Sequence, residues 1–96
     1  MQVIPAINEN DFAGVVARIQ KCAEFLPPDG WVQIDVVDNV FTARSGFNSP
    51  EELGALRLGY GIELHLMVSD LDATLDSWLD ALATATTGPK RAIFHL

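Results

Sequence analysis

The stretch from Trp31 to Phe41, WVQIDVVDNVF, decides the fold. It is an apolar, β-branched run entered through Pro27-Pro28-Asp29-Gly30, which predicts a strand over Trp31 to Val37. Period-two alternation puts Gln33, Asp35 and Val37 on one face and Val32, Ile34 and Val36 on the other. A carboxylate in the middle of such a strand is rarely buried without a partner, so Asp35 marks the place where function starts.

Upstream, Gln2 to Ile7 (QVIPAI) reads as a short buried strand, with Pro5 confining it to an edge or an irregular ladder. Phe12, Val15, Val16, Ile19, Cys22, Ala23 and Leu26 then recur at helical steps, with Asn10 or Asp11 as N-cap, and predict an amphipathic helix. Downstream, a polar loop runs through Asn48. Ser49-Pro50-Glu51-Glu52 is a helix start with a capping box, and Gly59-Tyr60-Gly61 ends that helix. Ile62 to Val68 (IELHLMV) is the third strand. Ser69 and Asp70 cap a third helix with Leu71, Leu75, Trp78, Leu79 and Leu82 in one stripe and Asp72, Asp76 and Asp80 outside it. After Gly88-Pro89, Arg91 to Leu96 (RAIFHL) is the fourth strand.

Strands and helices alternate through connections too long for hairpins, so the fold class is α/β with a parallel βαβαβαβ sheet and right-handed crossovers. The alternation narrows this further. Glu63, His65 and Met67 share one face of the third strand, and Arg91, Ile93 and His95 one face of the fourth, while the opposite faces are aliphatic or aromatic. A doubly wound sheet, covered on both sides, is apolar on both. Polar groups concentrated on one face, toward the carboxyl ends of the strands, predict half of a (β/α)8 TIM barrel with its site at the mouth, in a single domain over 1–96.

Composition bounds the partners. The chain has 96 residues, 49% of them hydrophobic, and a mean hydropathy of +0.21, which indicates a real core. Six basic against thirteen acidic residues give a net charge of −7 without a Lys/Arg-rich run, which argues against nucleic acid and anionic membrane as partners. Cys22 has no second cysteine to pair with and reads as a small buried hydrophobe. With neither a signal-peptide pattern nor a spanning apolar run, a cytoplasmic protein is expected.

The segments IPAI, WVQIDVVDNVF, ELHLMV and IFHL fall in the order and at the spacing of the first four strands of the ribulose-phosphate 3-epimerase family, a (β/α)8 barrel, and the chain resembles the N-terminal half of it. The resemblance implies an isomerase of carbohydrate metabolism: metal-assisted proton transfer at C3 of a ketopentose phosphate, through an enediolate, with two aspartates on opposite faces. By that resemblance Asp35 is the catalytic aspartate of the first half and a metal ligand, and His65 is the metal-binding histidine of the third strand. By the same resemblance Met67 lines the substrate cavity and His95 lies at the fourth-strand histidine position near the site, both as substrate-binding candidates; Arg44 is a third candidate by its own position, in the loop after the second strand at the mouth where a phosphate would need a cation. The cofactor implied is a divalent metal ion: zinc, iron or manganese.

The departures are specific. Gln33 replaces the family's second-strand metal histidine and is a poor ligand for zinc or iron. Ala6 stands for a serine, Val37 for a methionine and Asn39-Val40 for Gly-His, while the second aspartate and the phosphate loops belong to later strands. Each candidate also has a plain structural alternative. Asp35 could be a satisfied buried carboxylate, but the site reading fits the strand better; His65 reads equally as a hydrogen-bonded core histidine and as a ligand, His95 reads as a chain-end residue, Arg44 as a solvated surface cation, and Gln33 and Glu63 as interior polar packing one layer down.

Four parallel strands leave two unpaired edges. A homodimer about a twofold axis along the barrel, each fourth strand pairing with the other copy's first, would close eight strands and bring a second His65 to the place of the missing aspartate; against it, the missing fourth helix leaves a gap over the fourth strand, and the alternative is a fragment that needs its own other half. Two functions follow: an epimerase acting on a small phosphosugar as an oligomer, or a non-catalytic half-barrel folding and assembly module.

Overall fold

The computed structural model describes residues 4–38 and 46–94. Its elements are β1 (Ala6–Ile7), α1 (Phe12–Cys22), β2 (Trp31–Val37), α2 (Pro50–Gly54), β3 (Gly61–Met67), α3 (Leu71–Ala85) and β4 (Lys90–Phe94). The four strands form one sheet in the order β1-β2-β3-β4, and every neighbouring pair is parallel. This α/β arrangement of sequential parallel strands alternating with helices is consistent with half of a TIM barrel.

The apolar faces of the strands carry the core. Val32, Ile34, Val36, Ile62 and Leu64 are wholly buried and cluster with Val15, Ile19 and Cys22 of α1, Leu53 of α2, and Trp78, Leu82 and Ala85 of α3. Capping sets where the helices start. Asp11 accepts the Gly14 N–H at 2.8 Å, and Ser49 accepts the Glu52 N–H at 3.3 Å with Pro50 opening the helix. Arg57 donates to the carbonyls of Gly54 and Leu56 at 2.6 and 2.7 Å, so α2 ends at Gly54, well before Gly59.

The start of α3 differs from expectation. Asp70 occupies the cap position without a side-chain cap bond, and Ser69 instead donates through its N–H and hydroxyl to Asp38 Oδ2, at 2.9 and 3.2 Å. That contact ties the end of β2 to the end of β3. Two expected core residues are also open to solvent: Leu79 and Phe94 are exposed, because β4 is an edge strand and no described element covers its outer flank.

Phe47 is a core residue that the loop assignment hid. Its N–H donates to the Glu9 carbonyl at 3.0 Å and its carbonyl accepts the Val37 N–H at 3.1 Å. Its buried ring lies 6.1 Å from the ring of Phe12 and 6.1 Å from that of Trp78. A Cβ on Gly46 would stand 2.9 Å from Val37 Cβ, so the segment approaches the strand this closely only with glycine there. This packing buries Val37 on the otherwise polar face.

Candidate functional site

The polar face is ordered in rows by the register. Gln33, Glu63 and Arg91 align across β2, β3 and β4; Asp35, His65 and Ile93 align one row nearer the carboxyl ends; and Val37 aligns with Met67 beyond them. This is the end of the sheet where parallel α/β proteins place their sites.

The lower row is a support. Arg91 holds the buried Glu63 carboxylate through Nε and Nη2, at 2.6 and 2.5 Å from Oε2. Its guanidinium also lies 4.5 Å from the centre of the Trp31 ring, a cation–π contact. The ring passes over Gly61, where a Cβ would come within 2.5 Å of it. Glycine at 61 thus lets Trp31 and Arg91 stack, and Arg91 supplies the partner without which Glu63 would be a costly buried charge.

The upper row is the candidate site. Gln33 reaches up one row, its Nε2 donating to Asp35 Oδ1 at 3.0 Å and standing 3.4 Å from His65 Nδ1. His65 Nδ1 is 3.6 Å from the same Asp35 oxygen, and the Asp35 and His65 side chains are 12% and 25% exposed. Three side chains therefore meet at one point, within reach of solvent. The role of Nδ1 follows the tautomer: with the ring proton on Nε2, Nδ1 accepts from the Gln33 amide, and with a proton on Nδ1 it donates toward Asp35. Both contacts to the carboxylate fall on Oδ1, and Oδ2 takes part in neither.

A divalent metal fits this arrangement poorly. Among the described residues no group of three or more His, Cys, Asp or Glu stands together in a way that holds a metal ion. Asp35 and His65 are two donors, and the amide that comes between them is a hydrogen-bond donor turned toward the carboxylate. Of the other expected site residues, Met67 lies two positions beyond His65 on the same face of β3. His95 and Arg44, like the Asn39-Val40 pair, lie outside the described residues. Gln33 is the residue whose part in the site the sequence understated: the i, i+2 spacing with Asp35 placed it on the right face, but its reach across rows is a rotamer property.

The fold and this strand-end cluster define a class, the parallel βα half-barrel with ionisable groups at its carboxyl-end mouth. Within that class the chain resembles ribulose-phosphate 3-epimerase: the enzyme of that name from Rhodobacter capsulatus is 32% identical over 98 residues, a match covering 100% of this chain and 42% of the relative. The chain thus spans less than half the length of the curated relative it matches. Neither a protein-family model nor a solved structure matches the chain. No described helix is long and apolar enough to cross a membrane.

Proposed function

We propose that this chain supplies one proton-transfer face of an epimerase-type barrel acting on a ketopentose phosphate, with Asp35 as the acid/base. The observation that carries the proposal is the placement of the Asp35 carboxylate at the strand ends, with Oδ1 held by Gln33 at 3.0 Å. A carboxylate oriented by a fixed donor on one oxygen presents the other to a carbon acid. Asp35 takes the proton from C3; the electron pair of that C–H bond forms the C2–C3 double bond, and the carbonyl oxygen at C2 becomes the enediolate oxygen. Return of a proton to the opposite face inverts C3. Gln33 and His65 orient Asp35 and contribute N–H groups near the developing charge.

A second reading, the non-catalytic half-barrel module, is favoured by one observation: the Gln33 amide lies within hydrogen-bond distance of both Asp35 and His65, where a third metal donor would be needed. Incubation with ribulose 5-phosphate in deuterium oxide, read by proton NMR at C3, separates the two. The proposal expects deuterium at C3 that disappears in Asp35→Asn with the far-UV circular dichroism unchanged. Exchange no faster than the buffer blank, in parent and variant alike, leaves the module reading.

A further inference from the structure

A neutral imidazole has one ring nitrogen that accepts and one that donates, and the neighbours of His65 decide which is which. Gln33 Nε2 stands 3.0 Å from Asp35 Oδ1 and 3.4 Å from His65 Nδ1, while Nδ1 and Oδ1 are 3.6 Å apart. An ionised carboxylate only accepts, so the amide must face it with its nitrogen, which carries two N–H donors. A proton on Nδ1 would set two donors against each other across 3.4 Å, and its own path to the carboxylate, at 3.6 Å, is longer than a hydrogen bond. With Nδ1 as acceptor all three groups are satisfied, one amide N–H going to Asp35 and the other to His65.

The sheet holds Gln33 where it can do this. Gln33 pairs with Ala6 of β1 on one side and with Glu63 of β3 on the other, and its backbone N–H donates to the Pro5 carbonyl at 2.9 Å. In its own row the Glu63 carboxylate is engaged by Arg91. The Gln33 amide turns instead to the row above, where the Asp35 and His65 side chains are largely buried and water competes weakly for the same bonds.

We infer that Gln33 keeps a divalent ion out of this site by engaging both would-be ligands, and that it fixes His65 as the neutral tautomer with its proton on Nε2. A metal held jointly by Asp35 and His65 needs a lone pair on the ring, but the Nδ1 lone pair holds the amide and Nε2 holds the proton. Asp35 alone is then too few donors for a site. Gln33 is thus a positioning residue that acts through its two neighbours. This deepens the proposed proton transfer, and only its chemical use rests on that reading: a ring protonated on Nε2 donates there, which favours a developing enediolate oxygen and disfavours a cation.

Long-range nitrogen–proton NMR of the full chain, at about pH 8 where an ordinary imidazole is neutral, reads the tautomer directly. His65 and His95 are the two histidines of the chain, and His95→Gln tells their signals apart. His65 is expected with a protonated Nε2 and an acceptor Nδ1. Gln33→Met keeps the length of the side chain and removes both amide donors, so Asp35 turns to the imidazole and the ring proton is expected to move to Nδ1. One equivalent of zinc is expected to leave the His65 nitrogen shifts of the parent unchanged. A proton on Nδ1 in the parent overturns the inference, as does a tautomer that a folded Gln33→Met does not move, or a His65 shift on adding zinc. The parent spectrum and the zinc addition need no variant, so they decide the matter even where Gln33→Met does not fold. Both are read on the resting protein and stand whether or not deuterium enters C3, which tests the proton transfer alone.

Discussion

The Gln33 amide nitrogen lies 3.0 Å from Asp35 Oδ1 and so occupies the point at which a cation would meet that carboxylate. A primary amide there does part of a cation's work, since it offers N–H groups to the carboxylate, but it cannot accept a metal's charge. Gln33→His replaces the donor with an imidazole next to Asp35 and His65 and creates a third ligating group at the same point. Zinc affinity, measured by competition with a chromophoric chelator, is expected to rise by more than the roughly 10–100-fold that an outer-shell partner is worth. Adding Asp35→Asn should remove the gain. Equal affinity in parent and Gln33→His would show that the three side chains do not converge in solution.

Gly61 and Trp31 form a second dependency. The Cβ of an alanine at 61 would come within 2.5 to 2.9 Å of three ring carbons of Trp31, so the ring must move off the Arg91 guanidinium. Gly61→Ala is expected to destabilise the protein by about 1–3 kcal/mol, the range for overpacking. In a Trp31→Leu background the same change should be nearly silent, since the two positions share one space. Urea titration of the four proteins measures the coupling, and strict additivity would count against the stacking geometry.

Phe47 holds the carboxyl end of β2 by main-chain bonds to Val37 and Glu9 and by ring contacts to α1 and α3. Phe47→Ala removes the ring and leaves a cavity, an effect of about 3–5 kcal/mol. For a domain of this size that is a large share of a total stability on the order of 5–14 kcal/mol. Because Asp35 lies on the strand that this ring steadies, the variant should also lose Gln33–Asp35 order. The urea midpoint, taken at constant protein concentration, is expected to fall with the slope unchanged.

The legibility of these features followed the length scale of the physics. Alternation is local, so WVQIDVV fixed both the strand and the face of Asp35, and the Ser49-Pro50-Glu51-Glu52 cap fixed the start of α2. The register that sets Asp35 beside His65 also followed from order and spacing. What escaped depends on contacts distant in sequence. Phe47 sat in a polar loop with only the preceding glycine as a signal, and the tie from Asp38 to Ser69 links residues 31 apart in the chain. Phe94 and Leu79 have core-type patterning, and their exposure reflects which neighbours cover the edge, a property that periodicity does not encode.

Arg91 and Glu63 give the last expectation. Glu63 is buried, and both contacts to its Oε2 come from a guanidinium that is half exposed. Arg91→Met leaves that carboxylate buried without its partner, and a loss of about 1–3 kcal/mol is expected after allowing for solvent at the arginine. Glu63→Leu removes the charge that needs pairing and should be milder, since the Arg91 guanidinium is already half exposed to water in its place over Trp31. The double variant Glu63→Leu/Arg91→Met should recover most of what Arg91→Met loses, because a buried pair is replaced by apolar groups of similar volume. Thermal unfolding of the three variants tests the order. If the double variant is the least stable and the single losses add, the pair is not coupled and the lower row does not support the site above it.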